Sequence, residues 1–268
     1  MSAIRVAVAG AAGRMGRALL EAATATEGIA LGAALDVAGS AYAGRDAGDL
    51  ASGARGVAIG TDVAAAVRAA DVLVDFTRPE GTLVHLAACR AAKRAMVIGT
   101  TGFDADGLAQ VRAAAREIPI VMAPNMSVGV NVAMKLVETA ARALGPDYDV
   151  EVFEVHHKLK VDAPSGTALK LGEVAAAARG TTLGESGVFG RHGTTGERKP
   201  GAIGFSVARA GDVVGDHTVF FAGPGERIEI THRSTSRATY AQGAMRAARF
   251  LAGKPPGLYD MRDVLGLG

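Results

Sequence analysis

An α/β fold in two parts is predicted for this chain of 268 residues. Three observations predict it. Short apolar segments alternate with helix-like stretches across the first half of the chain. A glycine turn follows the first of those segments and opens a helix. After about residue 150 the rhythm changes to strand-like runs separated by Gly-rich turns. Strand–helix alternation belongs to a doubly wound parallel sheet, and strands in succession to a mixed or antiparallel one.

Composition narrows the class. Hydrophobic residues make up 49% of the chain, enough for a real core and too many for a disordered one. The net charge is only +2 and the Lys and Arg residues are scattered, so nucleic acid is not an expected partner. No apolar run approaches the ~20 residues of a membrane span. Residues 4–10 are too short for a secretory h-region. The single Cys89 excludes an internal disulfide and suits a reducing compartment. A cytoplasmic location is therefore expected. Metal-ligand spacings such as CxxC or HExxH do not occur, and no metal is expected.

Residues 4–9 (IRVAVA) read as a strand. Gly10, Ala11, Ala12, Gly13, Arg14, Met15 and Gly16 then lead into the helix-like RALLEAATA. Strand, glycine turn and helix suit a dinucleotide pyrophosphate: missing side chains let the backbone approach, and the helix N-terminus favours the charge. The spacing is GxxGxxG rather than GxGxxG, and among 36 glycines the triplet alone is a weak signal. The next strand, 29–35, ends at Asp36. An acid there meets the adenosine ribose hydroxyls and repels a 2′-phosphate, which leans the cofactor towards NADH. Arg14 or Arg45 has the reach to meet a 2′-phosphate.

Strands follow at 56–59, 71–76, 96–98 and 118–122, separated by helices at 62–70, 80–94 and 104–116. Thr61 or Asp62 caps the first of these helices. Six strands alternating with helices make a Rossmann-type parallel sheet. Its ligands gather at strand C-termini, where Thr77-Arg78-Pro79 and Gly99-Thr100-Thr101-Gly102 stand. Cys89 and His85, on helix 80–94, read as a small core residue and a helix-face histidine.

Ala123-Pro124-Asn125-Met126 leaves the sheet, and 127–144 is a long apolar-striped helix. Residues 151–155 (EVFEV) alternate as a strand does. Asp162, Ala163 and Pro164 stop it. Pro164 suits the first turn of a following helix, which puts Ser165, Gly166 and Thr167 at an anion-binding N-terminus. His156, His157, Lys158 and Lys160 come just before. Alternation points His156 and His157 to opposite faces unless the strand has ended. The helix runs to about 179 and a polar, Gly-rich loop to 199. Strands at 202–208, 213–221 and 227–232 and a helix at 233–251 complete the chain. With 151–155 these strands make a four-stranded mixed sheet whose open face needs a cover. Lys158, Arg237, His192, His217 and His232 read as surface or structural residues.

The run HHKLKVDAPSGTA resembles the signature of the 4-hydroxy-tetrahydrodipicolinate reductase (dihydrodipicolinate reductase) family of the lysine pathway. VAVAGAAGRMGR, DFTRPEGT, VIGTTGF, APNMSVGVN, GERKPGAIGFSVARAGDVVGDHTV and YDMRDVL match in the family's order and cover nearly the whole chain. The resemblance implies a dinucleotide-binding domain of residues 1–126 and 236–268, to which the tail returns. It implies a substrate-binding and oligomerisation domain of residues 127–235, with a homotetramer assembled through its sheet.

The implied reaction is NAD(P)H-dependent reduction of 4-hydroxy-tetrahydrodipicolinate to tetrahydrodipicolinate with loss of water, in lysine and diaminopimelate biosynthesis. The nicotinamide gives a hydride to a small cyclic dicarboxylate, and a His/Lys pair gives the proton. The resemblance places the glycine turn (Gly10, Ala11, Ala12, Gly13, Arg14, Met15), Asp36, Gly99, Thr100, Thr101, Ala123, Pro124, Asn125 and Met126 in the cofactor site. It makes His156 the acid/base and Lys160 the proton donor, and sets His157, Gly166 and Thr167 on a substrate carboxylate. A lysine gives up its proton near neutral pH only where its ammonium is disfavoured, and two nearby histidines with burial would do that. Val37 stands where family members that use NADPH well carry a basic residue, a second lean towards NADH. Met126 replaces an aromatic residue common among relatives, so a thioether is expected beside the nicotinamide. Another NAD(P)-dependent reductase on this scaffold, such as an amino-acid dehydrogenase, need not have the HHKLKVDAPSGT run. A nucleotide-sensing binding module would need no acid cluster at all.

Overall fold

Each strand of the first half is a short apolar run fenced by helices, and parallel pairing follows from that spacing. The computed structural model describes residues 3–268. In chain order the elements are β1 (Ile4–Ala9), α1 (Arg14–Ala25), β2 (Ile29–Leu35), β3 (Ile59–Gly60), α2 (Val63–Arg68), β4 (Val72–Asp75), α3 (Pro79–Ala92), β5 (Ala95–Ile98), α4 (Ala105–Ala114), β6 (Pro119–Met122), α5 (Val128–Leu144), β7 (Asp149–His156), α6 (Gly166–Ala178), α7 (Leu183–Ser186), β8 (Gly187–Val188), β9 (Ile203–Arg209), β10 (Gly215–Gly223), β11 (Glu226–Ser234), α8 (Ala238–Leu251), β12 (Gly257–Tyr259) and α9 (Met261–Leu265). They divide into two compact units: residues up to Val128 with Arg237–Gly268, and Gly129–Ser236.

The first unit is a parallel sheet in the order β12-β6-β5-β4-β1-β2-β3. The tail therefore supplies a seventh strand beside the six read from the sequence. Alternation on β1 sends Val6 and Val8 to one face and Ala7 and Ala9 to the other. The first face packs Val74 and Val97 with Leu19 and Leu20 of α1, Met245 and Ala248 of α8, and Met261 of α9. The second packs Leu73, Met96 and Ile120 with Leu86 and Cys89 of α3 and Val111 of α4. A parallel sheet must be covered on both faces, and the tail helices complete the first cover.

The second unit holds a mixed sheet in the order β11-β10-β7-β9-β8. β10 runs antiparallel to β7 and β11, and β9 parallel to β7 and β8. It has five strands rather than four. The loop expected over 180–199 contains α7, where Glu185 accepts hydrogen bonds from the Thr182 N–H and hydroxyl, and then the short edge strand β8. One face buries Val150, Val152, Ile203, Phe205, Val219 and Phe221 against α6 and α5. The other presents Phe153, Ser206 and Thr231, all exposed.

Two further boundaries differ from the sequence reading. The last long helix begins at Ala238, not near 233, because β11 keeps unbroken register with β10 through the Gly215–Ser234 pair. Pro164 lies outside α6, whose N-cap is Ser165; the Ser165 hydroxyl accepts the Ala168 N–H at 3.2 Å.

Gly16 marks the tightest approach in the first unit. A Cβ there would stand 2.0 Å from the Gly10 carbonyl oxygen, so α1 closes directly onto the glycine turn. Gly16→Ala is expected to cost about 1–3 kcal/mol by overpacking. Thermal unfolding checks this, and a variant that melts with the wild type would show that the turn can move aside.

Candidate active site

The first unit forms a cleft of about 840 Å³ lined by Gly10, Gly13, Arg14, Asp36, Val37, Thr77, Arg78 and His85, among others. Gly10 adopts φ +68°, and Gly13 is the N-cap of α1 with no side chain over the helix end. Asp36 is already engaged by the backbone. Its carboxylate accepts the Ala12 N–H at 2.8 Å and the Val37 N–H at 2.8 Å, so it folds the glycine turn against the end of β2. A carboxylate has about four acceptor positions, which leaves capacity for hydroxyls. Val37 is 71% exposed beside it.

Below the cleft lies Asp75, fully buried at the end of β4. One oxygen accepts the Thr77 N–H at 2.8 Å and hydroxyls of Thr77, Thr82 and Thr100 at 2.7, 3.2 and 3.2 Å. The other meets His85 Nδ1 at 2.6 Å. Burial alone would raise this acid, but His85 and the Thr77 donors outweigh it and hold the carboxyl below its ordinary value. His85 is thus the partner of a buried acid, not a plain helix-face residue, and Cys89 is in the core as read. Burial, with the Asp75 charge, pushes the Cys89 thiol up to about 12.

The other expected cofactor residues differ in exposure, with Gly99 and Asn125 half-buried. Thr101 and Pro124 are exposed. Thr100, Ala123 and Met126 are buried, with the Thr100 hydroxyl committed to Asp75 and the Met126 side chain in the core. Asn125 Oδ1 accepts the Ser127 N–H at 2.9 Å. At Gly99 a Cβ would strike the Phe76 ring at 2.2 Å, so glycine there is required by packing.

In the second unit β7 runs to His156. Val150, Val152, Glu154 and His156 alternate onto the helix-covered face, and the row turns from apolar to polar towards its end. His217 is the cross-strand partner of Glu154 on β10, and Arg209 pairs with His156 on β9. The Ser165 end of α6 joins the same group. Glu154 has no exposed surface. It accepts the Ser165 N–H at 2.9 Å and Arg209 Nη2 at 3.0 Å through one oxygen, and meets His156 Nδ1 through the other. Burial would raise this carboxyl, but Arg209, the Ser165 amide and His156 hold it below the usual range. Burial, reinforced by the charges of Lys160 and Arg209, lowers His156 despite Glu154. His217 stacks edge-on to His156 at 5.0 Å, shares a 3.1 Å hydrogen bond with the Ser165 hydroxyl, and is driven by burial to about 4. Ligand atoms of Glu154, His156 and His217 lie within 4.8 Å of one another. Both Glu154 oxygens already serve protein donors, so the trio reads as a hydrogen-bonded cluster.

Because β7 ends at His156, His157 is freed from strand alternation. It lies half-buried in the following turn, its Nδ1 without a hydrogen-bond partner among the described residues. Lys160 bonds Asp162 Oδ1 at 2.8 Å, so its direct neighbour is a carboxylate rather than two histidines. Gly166 opens α6, and beyond its chain neighbours and the backbone of its own helix no heavy atom lies within 4 Å of where its Cβ would stand. The sequence reading missed Glu154, Arg209 and the burial of His217. Only the EVFEVH alternation, carried one residue further, hinted that Glu154 and His156 share the inner face.

Known proteins resemble this chain throughout. The family model described as dihydrodipicolinate reductase, N-terminus, matches residues 4–126, and that described as dihydrodipicolinate reductase, C-terminus, matches residues 129–265. A protein of Dechloromonas aromatica (strain RCB) named 4-hydroxy-tetrahydrodipicolinate reductase is 60% identical over 267 residues, with all of both chains covered. One of the same name from Bordetella pertussis (strain Tohama I / ATCC BAA-589 / NCTC 13251) is 62% identical over 263 residues, covering 98% of this chain and 97% of the relative. Among solved structures, a dipicolinate-bound dihydrodipicolinate reductase from Paenisporosarcina sp. TG-14 aligns with a TM-score of 0.77 at 26% identity, over 97% of this chain and 98% of that one.

His217 gives the second unit an acid limit. Its value when unfolded is near 6.5, and when folded about 4. Between these the unfolded chain binds the extra proton, so stability falls as pH drops from 6.5 to 4, by up to about 3 kcal/mol from this group. Urea unfolding across that window, compared with His217→Gln, checks it. An equal slope in the variant would remove His217 as the cause.

Proposed function

This chain belongs to the dihydrodipicolinate reductase family, and from that premise we propose how its residues carry out the reaction. The activity is the NAD(P)H-dependent reduction of 4-hydroxy-tetrahydrodipicolinate to tetrahydrodipicolinate with loss of water, in lysine and diaminopimelate biosynthesis. Reduced nicotinamide supplies the hydride. The protein must hold a dicarboxylate ring and move one proton.

The observation that carries the reading is the buried Glu154–His156 pair beside the N-terminus of α6. A ring dicarboxylate, the chemistry of the dipicolinate bound to the Paenisporosarcina enzyme, fits a helix N-terminus that begins with an unobstructed glycine. Gly166 and Thr167 receive one carboxylate, and His157 donates to it. His156 is the acid/base, and Lys160 is the ammonium that delivers the proton. Asp162 is 53% exposed, so its ion pair with Lys160 is weak enough for a substrate to displace.

The glycine turn suits a dinucleotide: Gly10 and Gly13 leave space at the head of α1, and Ala11, Ala12, Arg14 and Met15 complete the turn. Asp36 takes the adenosine ribose. Gly99, Thr101, Pro124 and Asn125 take the nicotinamide end, with Thr100, Ala123 and Met126 contributing through backbone and packing. Asp36 and exposed Val37 favour NADH, while exposed Arg14 leaves NADPH usable. The uncovered sheet face around Phe153 favours a homotetramer. No helix among the described residues is long and apolar enough to cross a membrane, and we assign the enzyme to the cytoplasm.

The primary experiment is oxidation of NADH and of NADPH with substrate generated in situ from pyruvate and aspartate semialdehyde. Oxidation that depends on the enzyme condensing pyruvate with aspartate semialdehyde, with NADH preferred, is expected, and no oxidation with either cofactor would sink the reading. Val37→Arg should shift the kcat/KM ratio towards NADPH by roughly 10- to 100-fold, the worth of one charge-assisted hydrogen bond. An unchanged ratio would place the preference elsewhere. Lys160→Ala should lower kcat by about 10²–10⁴-fold with NADH binding intact; equal losses in both would end its assignment as donor.

A further inference from the structure

The acid/base assignment of His156 leaves Glu154 unexplained. A fully buried glutamate two residues away on the same strand face is costly unless it does something, and here every donor it meets comes from a different direction. Arg209 reaches it from β9 while also donating to the Asp162 carbonyl at 2.6 Å and the Ala208 carbonyl at 2.7 Å. The Ser165 amide reaches it from the head of α6. His156 Nδ1 closes the set. An ionised carboxylate only accepts, so the Nδ1 that meets it must carry the proton. Neutral imidazole with hydrogen on Nδ1 leaves the lone pair on Nε2.

The far side of the ring is kept clear by a second residue. Gly215 lies on β10, and a Cβ there would stand 2.9 Å from His156 Nε2. The neighbouring His217 directs its Nε2 to the Ser165 hydroxyl, and it is His156 Nδ1 that meets the free oxygen of Glu154. That hydroxyl also accepts the Ala168 N–H, which ties His217 to the head of α6. The charged and titratable groups facing His156 are therefore Glu154 on β7, Lys160 in the following turn, Arg209 on β9 and His217 on β10.

We propose that Glu154 is the positioning residue of the proton-transfer site: it holds His156 as the Nδ1–H tautomer, with Arg209 and the Ser165 amide fixing the carboxylate, so that Nε2 is the atom that exchanges the proton. The proposal rests on the reading of His156 as the acid/base. It adds which nitrogen acts, why, and which residues decide it.

The test combines three measurements on the full-length enzyme. Long-range ¹H–¹⁵N correlation of the wild-type imidazoles is expected to show His156 protonated at Nδ1 and unprotonated at Nε2; the opposite tautomer overturns the proposal without any variant. Glu154→Gln should lower kcat roughly 10- to 10⁴-fold, the span between losing the partner of a metal-bound histidine and losing the acid of a catalytic triad, with NADH binding unchanged. The His156-controlled limb of its pH profile should move to lower pH, because the carboxylate that favours imidazolium is gone. Should that variant fold poorly with Arg209 unpaired, Glu154→Gln combined with Arg209→Met removes both charges, and the same loss and limb shift are expected. Finally, Glu154→Gln is made in a His156→Asn background, where it should have little further effect on kcat. If His156→Asn alone leaves kcat intact, the acid/base reading fails. If His156→Asn is inactivating but Glu154→Gln leaves kcat and limb unmoved, or is fully additive, the reading stands and this proposal falls.

Discussion

A carboxylate without access to water governs the second unit. Glu154 is stable as an anion only because β9, α6 and the end of its own strand each bring it a donor. The dependence runs both ways. Arg209, Ser165 and His156 take their positions from the one acceptor they share. Removing one partner of such a buried pair costs about 3–5 kcal/mol, a large part of the 5–15 kcal/mol that stabilises a typical domain. The cluster is therefore a rigid frame, and the turn carrying His157 and Lys160 departs from its edge.

The first unit uses the same device with different chemistry. Asp75, at the end of β4, gathers Thr77, Thr82, Thr100 and His85 around one buried carboxylate. This ties the end of β4 to α3 and to the end of β5, the strand ends where a parallel sheet presents its ligand. Asp36 plays a similar part at the end of β2 by holding the Ala12 amide. Acids at strand C-termini thus fix the backbone along the ligand-presenting edge of the sheet.

This division suits a reductase whose cofactor brings its own reactivity. What remains for the protein is placement and one proton. On the proposed reading, the first unit offers glycine backbone and a helix N-terminus to a diphosphate, and the second a helix N-terminus to a carboxylate and a histidine held by an acid. Both rely on fixed dipoles and pre-formed hydrogen bonds, which need no reorganisation when the ligand arrives.

Much of this was legible in residue order. Alternation of apolar strands with helices determined the parallel sheet, and Gly10, Gly13 and Gly16 determined where a helix must crowd a turn, because local periodicity and missing side chains act within a few residues. The HHKLKVDAPSGTA run carried the family, and with it the chemistry. The partnerships of the acids were decided by tertiary structure alone. Arg209 lies 55 residues from Glu154, and Asp75 meets Thr100 across 25. Such pairs form only once strand register is set, and no local pattern encodes register between distant strands. For the same reason His217 read as a surface or structural residue until the β7–β10 pairing buried it opposite Glu154, and the fifth and seventh strands emerged only when short segments found an edge to join.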